Sequence, residues 1–280
     1  MTKKALLCGI NRYRVPGADL RGCVNDVRNM RAVLVDLFGF ADDDIRMLVD
    51  DDATKANIET GFTDLVAGAQ SGDVLVFEIS SHGSNVPDQN GDEPDRRDEI
   101  LCPTDLDWRD PLRDDWLRQV INGLPEGVNL TLVTDCCYSG SVTRWLEPPD
   151  APVVGRYLPS PFDLLTVESG RELTGVPRSV RRRMEREAGT SDVVDIDLPE
   201  VLITGCRDNQ TSADAYIDGD YHGAMTHALV TALRETGGNA SYREIHRRML
   251  ALLEERGFDQ VPQLEGRGKN FDQPFLSPLA

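Results

Sequence analysis

Two short stretches of the chain carry residue types that could act on a peptide bond. His82 lies in Ser80-Ser81-His82-Gly83-Ser84, just after the apolar run Val74-Leu75-Val76-Phe77. Cys137 lies in Asp135-Cys136-Cys137-Tyr138-Ser139-Gly140, just after Leu130-Thr131-Leu132-Val133. Each run reads as a strand, so both residues fall past a strand's carboxyl end, where open α/β sheets place their chemistry. A thiol becomes a strong nucleophile once a neighbouring base takes its proton, and the same base then protonates the leaving amine. Cys137 is the expected nucleophile and His82 the expected base and acid, the pairing of a cysteine peptidase. Gly83 is expected to offer its backbone N–H to the developing oxyanion together with that of Cys137, since a residue without Cβ lets the substrate carbonyl come close. Taken alone, a cysteine at a strand end is ordinary packing. The partner histidine and the flanking Asp135, Ser139 and Gly140 favour catalysis. Cys136 faces the opposite way if the strand geometry persists and is read as core, with a vicinal disulfide as the alternative.

The elements that must position these residues follow from periodicity. Strand-like runs lie near 4–9, 44–49, 73–80, 129–135 and 200–205, alternating with amphipathic helical stretches near 23–38, 54–69 and 114–122. That alternation predicts a parallel sheet with right-handed crossovers. Helical patterns near 223–236 and 241–256 follow, and Gln260-Val261-Pro262-Gln263-Leu264-Glu265 reads as a last strand that Pro262 would confine to the sheet edge. Residues 146–197 break the pattern with six prolines, the basic run Arg178-Ser179-Val180-Arg181-Arg182-Arg183-Met184-Glu185-Arg186 and an acidic end, Asp192 to Asp197. They read as an insertion or linker outside the core.

Bulk composition narrows the function classes. The chain has 280 residues, 40% of them hydrophobic, enough for one large α/β domain. No apolar stretch approaches the roughly 20 residues of a membrane helix, and the start shows no signal-peptide pattern, so a cytoplasmic protein without membrane attachment is expected. Six irregularly spaced cysteines suit a reducing compartment better than a disulfide framework, and no zinc spacing links them to the four histidines. A net charge of −18, from 48 acidic and 30 basic side chains, would repel nucleic acid; it suits a basic substrate or a cation, or simply a solvated surface.

The order His then Cys, 55 positions apart, with these strand-end motifs, resembles the caspase-like (clan CD) cysteine peptidases, and among them the prokaryotic metacaspases or orthocaspases. Further matching motifs are Gly22-Cys23-Val24-Asn25-Asp26, Gly91-Asp92-Glu93-Pro94-Asp95-Arg96-Arg97-Asp98-Glu99 and Gly205-Cys206-Arg207-Asp208-Asn209-Gln210-Thr211-Ser212-Ala213-Asp214. The resemblance implies one caspase-like catalytic domain over 1–280, with a mostly parallel six-stranded sheet flanked by helices. Residues 1–145 would form the large-subunit-like part, 146–197 the linker with the cleavage region, and 198–280 the small-subunit-like part. It implies a His/Cys dyad without a third carboxylate, protein or peptide substrates, and a monomer.

At the matching positions Asp26 and Asp135 would line the pocket for the residue before the cut, with Cys23 and Ser80 beside them. Two carboxylates in a narrow pocket select Arg by its forked donors and Lys by its charge, and exclude acidic side chains. Cleavage after Arg or Lys is therefore expected, although Asp26 alone could be a helix-cap or turn residue. Asp98, Asp114 and Asp115 match calcium-ligand positions of calcium-dependent relatives, whereas the fourth position is Arg144, whose charge would weaken the site or replace the ion. A solvated or ion-paired acidic loop is the alternative, and no cofactor is required for the dyad itself. Tyr138 stands where many relatives have a second histidine, which affects tuning of the thiol and leaves the dyad in place.

A cut in or beside Arg178, Arg181, Arg182, Arg183 and Arg186 is expected to mature the enzyme, made by the chain itself or by an upstream protease of a signalling or defence cascade; a solvated basic helix is the other reading. A caspase-like adaptor that acts by binding is the competing class, disfavoured by the presence of both His82 and Cys137. A nucleotide-binding domain would need a Gly-rich phosphate loop after a strand, and the sequence has none.

Overall fold

The computed structural model describes residues 1–88, 97–138, 153–162, 192–207 and 210–279. The first half alternates β1 (Lys3–Gly9), α1 (Cys23–Phe38), β2 (Ile45–Val49), α2 (Lys55–Val66) and β3 (Val74–Ser80). A small meander of β4 (Gly83–Pro87), β5 (Arg97–Leu101) and β6 (Leu112–Arg113) leads to α3 (Asp114–Ile121) and β7 (Asn129–Asp135). Then come β8 (Val153–Gly155), β9 (Val193–Asp195), β10 (Val201–Thr204), the hairpin β11 (Ala213–Ile217) and β12 (Asp220–Gly223), α4 (Ala224–Glu235), α5 (Tyr242–Glu255), β13 (Gln263–Gly266) and α6 (Gly268–Phe271).

The main sheet runs β2-β1-β3-β7-β10-β13-β9. All pairings are parallel except β10 with β13. Every residue of β3 and β7 is buried, as expected of central strands covered on both faces. Alternate residues serve opposite layers. Ala5, Leu7, Val74, Val76 and Val133 pack with Val27, Met30 and Leu34 of α1, Leu229 of α4 and Ile245 of α5. Leu6, Cys8, Leu75, Phe77 and Leu132 pack instead with Ile58 and Phe62 of α2 and Leu117 of α3, where the Phe62 and Phe77 rings meet edge-on at 5.0 Å.

Helix ends are set locally. Thr54 accepts from Asn57 N at the start of α2, and Ser241 and Glu244 form a reciprocal capping box on α5, each such cap worth about 1 kcal/mol. Gly39 closes α1 at φ 65°, a left-handed conformation that glycine adopts without a Cβ penalty. Among the described residues no helix is long and apolar enough to cross a membrane.

Three expectations are corrected. The sheet has seven strands among the described residues, not six, because β9 adds to it from the stretch read as linker. The strand after Pro262 is not an edge: it begins at Gln263, past the proline, and is flanked by β10 and β9. The stretch 146–197 also supplies β8 and the buried residues Arg156, Tyr157, Leu158 and Ser160, so part of it belongs to the core. The basic cluster Arg178, Arg181, Arg182, Arg183 and Arg186 lies outside the described residues, as do Ser139, Gly140 and Arg144.

Candidate active site

Strands β3 and β7 pair in register to their ends, with Ser80 opposite Asp135, so the residues that follow each strand emerge side by side. His82 is buried. Its Nε2 lies 2.8 Å from the carbonyl oxygen of Ala18, and its backbone N–H donates to the Tyr13 hydroxyl at 2.8 Å. A carbonyl only accepts, so Nε2 carries the proton and Nδ1 is the free base. Nδ1 has no hydrogen-bond partner. Burial pushes the imidazole down to about 4, against the opposing pull of the Ala18 carbonyl, so the ring rests neutral.

Cys137 is buried as well, and its thiol packs toward Ser212 and Cys206: the Ser212 N–H donates to Sγ, and Cys206 Sγ is 3.6 Å away. Burial, and secondarily Cys206, push this thiol well above its ordinary value. The resting pair is thus thiol and imidazole, with no hydrogen bond between them. Cys136 packs on the opposite side with Leu130 and Leu132, and all six cysteines are free, so the vicinal disulfide does not occur.

The backbone N–H groups of Gly83 and Cys137 converge on one acceptor, the carbonyl oxygen of Arg156, at 3.1 and 3.2 Å. Two convergent donors on one carbonyl form the arrangement that stabilises an acyl-transfer oxyanion. On one side of this carbonyl, Arg156 N donates to Ser212 O at 2.9 Å and β8 pairs antiparallel with β11. On the other side, Leu158 N donates to Gly83 O at 3.0 Å. The segment from Val153 to Leu158 therefore threads the crevice with the Arg156–Tyr157 peptide bond at its centre.

The Arg156 side chain fills a pocket of carboxylates and is fully buried. Nη2 reaches Asp26 Oδ2 at 2.8 Å and Asp214 Oδ1 at 3.0 Å. Nη1 reaches Asp135 Oδ2 at 3.2 Å and donates to Ser80 Oγ at 2.7 Å. Each carboxylate is oriented by other donors. Asp26 accepts from Gly223 N and Ser80 Oγ, Asp135 from Thr226 N, Thr226 Oγ1 and Ser212 Oγ, and Asp214 from Gly22 N and Arg21 N. Asp26 sits in the first turn of α1, where the helix dipole favours negative charge. Cys23, at the head of the same helix, is buried beside the pocket with its thiol pushed well up, chiefly by burial.

The expected pocket residues Asp26, Asp135, Ser80 and Cys23 thus come together. Asp214 and Arg156 were not assigned from the sequence. Asp214 ends a motif already singled out, and Val153-Val154-Gly155-Arg156 is a short apolar run closing on a basic residue, a signal hidden by the surrounding prolines. Asp98, Asp114 and Asp115 behave differently. Asp98 Oδ2 is held by Arg113 at 2.7 Å, and Asp114 faces Arg118 at 3.9 Å. Among the described residues no three His, Cys, Asp or Glu side chains converge on a cation position.

Residues 3–145 match the family model described as metacaspase, peptidase C14 domain. Metacaspase-6 of Arabidopsis thaliana is 29% identical, covering 94% of this chain and 96% of its own length. Metacaspase-1 of Emericella nidulans is 35% identical, covering 94% of this chain and 69% of its own. A crystallised protein of Geobacter sulfurreducens superposes with a TM-score of 0.68 at 26% identity over the full length of both chains. The chain belongs to the metacaspase family of cysteine-type endopeptidases.

Proposed function

We propose that this metacaspase cuts peptide bonds after Arg, and less readily after Lys, with His82 and Cys137 as its dyad, and that its own Arg156–Tyr157 bond holds the enzyme latent until it is cut. One observation carries the reading: a fully buried arginine lies among three carboxylates while its carbonyl oxygen receives both N–H donors of the nucleophile's turn. Both Nη atoms of the guanidinium are used, so a single ammonium would satisfy fewer acceptors, which favours Arg over Lys. An acidic side chain in this pocket would face three like charges.

In the reaction His82 Nδ1 takes the Cys137 proton once the thiol turns from Cys206 toward the ring. Sγ then bonds to the carbonyl carbon, and the oxyanion is held by Gly83 N and Cys137 N. Collapse breaks the C–N bond, and His82 returns the proton to the departing amine, here the new amino terminus at Tyr157. Water, deprotonated by the same ring, hydrolyses the thioester and restores the thiol. No step requires a metal.

Matched fluorogenic peptides ending in Arg, Lys or Asp, with wild type and Cys137→Ala, test the specificity, and amino-terminal sequencing of the fragments tests the latency. Arg above Lys, none with Asp, loss in Cys137→Ala and a new terminus at Tyr157 are expected. A fragment beginning within 179–187 would instead favour a cut in the basic cluster by this chain or an upstream protease. A correctly folded, cut chain that hydrolyses none of the peptides would favour the adaptor class.

A further inference from the structure

We infer that Thr211 closes the subsite for the residue immediately before the cleaved arginine, so that the enzyme selects glycine there and cuts after Gly-Arg. The inference rests on the reading of Arg156 as occupant of the first subsite, and concerns the position next to it.

Gly155 is that neighbouring residue. Its strand is added to the enzyme's own β11, with Gly155 opposite Ala213, Val154 opposite Asp214 and Val153 opposite Ala215. In strand addition the main-chain bonds fix the register, and discrimination falls on what each side chain meets. A Cβ placed on Gly155 would lie 2.7 Å from Thr211 Cγ2, closer than real Cβ atoms come to a neighbour. Gly155 is not among the glycines with positive φ, so its backbone would accept any residue. Space, rather than conformation, demands glycine at this point.

The wall cannot easily retreat. Thr211 is β-branched, which restricts its rotamers, and is buried at 9% exposure. The backbone beneath it is tied down: Ser212 Oγ bonds Asp135, and Ala213 N donates to Gln260 Oε1 at 3.0 Å, with Gln260 anchored in turn to Gly205 O at 2.9 Å. Moving Thr211 outward would disturb Asp135 in the arginine pocket. Val153, two positions further from the cut, is exposed. Closing a subsite by steric exclusion is specificity against competitors rather than added attraction for the substrate.

The test uses peptides Val-Val-Xaa-Arg with a fluorogenic leaving group, where Xaa is Gly, Ala, Leu or Pro, on wild type and on Thr211→Ser, which removes the obstructing methyl. The expected result is Gly-Arg cut at least about tenfold faster than Ala-Arg in wild type, with the Gly-to-Ala ratio falling severalfold in Thr211→Ser. Equal turnover of Gly-Arg and Ala-Arg would overturn the subsite while leaving the arginine preference standing. Indifference to replacing Arg itself would show that the first-subsite reading had failed instead.

A second measurement needs no turnover. In the Cys137→Ala chain, Gly155→Ala is expected to lower Tm by several degrees and Thr211→Ser to reverse most of that loss. A Gly155→Ala chain as stable as its parent, or a loss unaffected by Thr211→Ser, would remove Thr211 as the obstructing group.

Discussion

The guanidinium of Arg156 and the carboxylate of Asp26 meet at 2.8 Å with both side chains fully buried, although 130 residues separate them along the chain. Two more carboxylates, Asp135 and Asp214, share that single positive charge. Without that cation the pocket would hold three carboxylates and no fully buried counter-charge. Removing one partner of a buried pair strands the other without compensation, at a cost of about 3–5 kcal/mol. In the uncut Cys137→Ala chain, Arg156→Ala should lower stability by that order, and Arg156→Lys by clearly less because it retains the charge. Urea unfolding of the three proteins checks this, and equal midpoints for Arg156→Ala and its parent would show that the pocket does not depend on the arginine.

Asp214 contributes one of the two carboxylates on Nη2 and is itself held by Gly22 N and Arg21 N. Asp214→Asn keeps an oxygen for one of those backbone donors and removes the charge. A charge-assisted hydrogen bond is worth about 1.5–3 kcal/mol, so kcat/KM for an arginine peptide should fall roughly tenfold to hundredfold. Unchanged kcat/KM in the folded variant would assign Asp214 to holding the hairpin alone.

Much of this site was legible in the sequence because it is built from strand ends. Buried apolar runs such as Val74–Phe77 and Leu130–Val133 announce parallel strands, and parallel strands bring their carboxyl ends together, so the placement of His82 and Cys137 follows from pattern, whereas Ser80 and Asp135 entered as pocket residues through the family resemblance. Asp26 was reachable through its motif at the head of an amphipathic helix. What escaped depended on contacts made across long sequence separations. Asp214 enters the pocket only because β11 folds back against the start of α1. Gly155 ends, and Arg156 directly follows, a three-residue strand that exists by pairing with β11, too short for periodicity to register. β9 was missed for the same reason, since three residues paired to β13 carry almost no local signal.

The oxyanion donors set a steric requirement at Gly83. A Cβ there would lie 2.4 Å from the carbonyl oxygen of Cys137 and 2.8 Å from its carbon, so alanine must push the two N–H donors apart. Losing such a donor costs about a hundredfold to a thousandfold in kcat. Gly83→Ala should show that loss with little change in KM, because the arginine pocket is untouched. Thermal unfolding of the same variant separates this from a general loss of fold, and a rise in KM with kcat intact would place the defect in binding instead.

Glu78, at the centre of β3, is fully buried, and neither carboxylate oxygen has a hydrogen-bond partner. Burial first, then the nearby Asp26 and Asp135, push its pKa well above the ordinary 4.5. The stability it contributes is thus fully present below about pH 4.5 and is lost as pH rises through the raised folded value. His82 acts on the other limb. Its folded value of about 4 lies below the ordinary 6.5, so the unfolded chain alone takes up a proton between them, and the folded chain loses about 3 kcal/mol of stability as pH falls across that interval. Glu78→Gln preserves the shape and cannot ionise. Its Tm advantage over the parent should therefore grow as pH rises from 5 toward 9, with the acid limb unchanged, when both are measured in the uncut Cys137→Ala chain. Parallel Tm curves would mean that Glu78 ionises alike in the folded and unfolded chains, through a counter-charge in the fold, and that the alkaline limb has another origin.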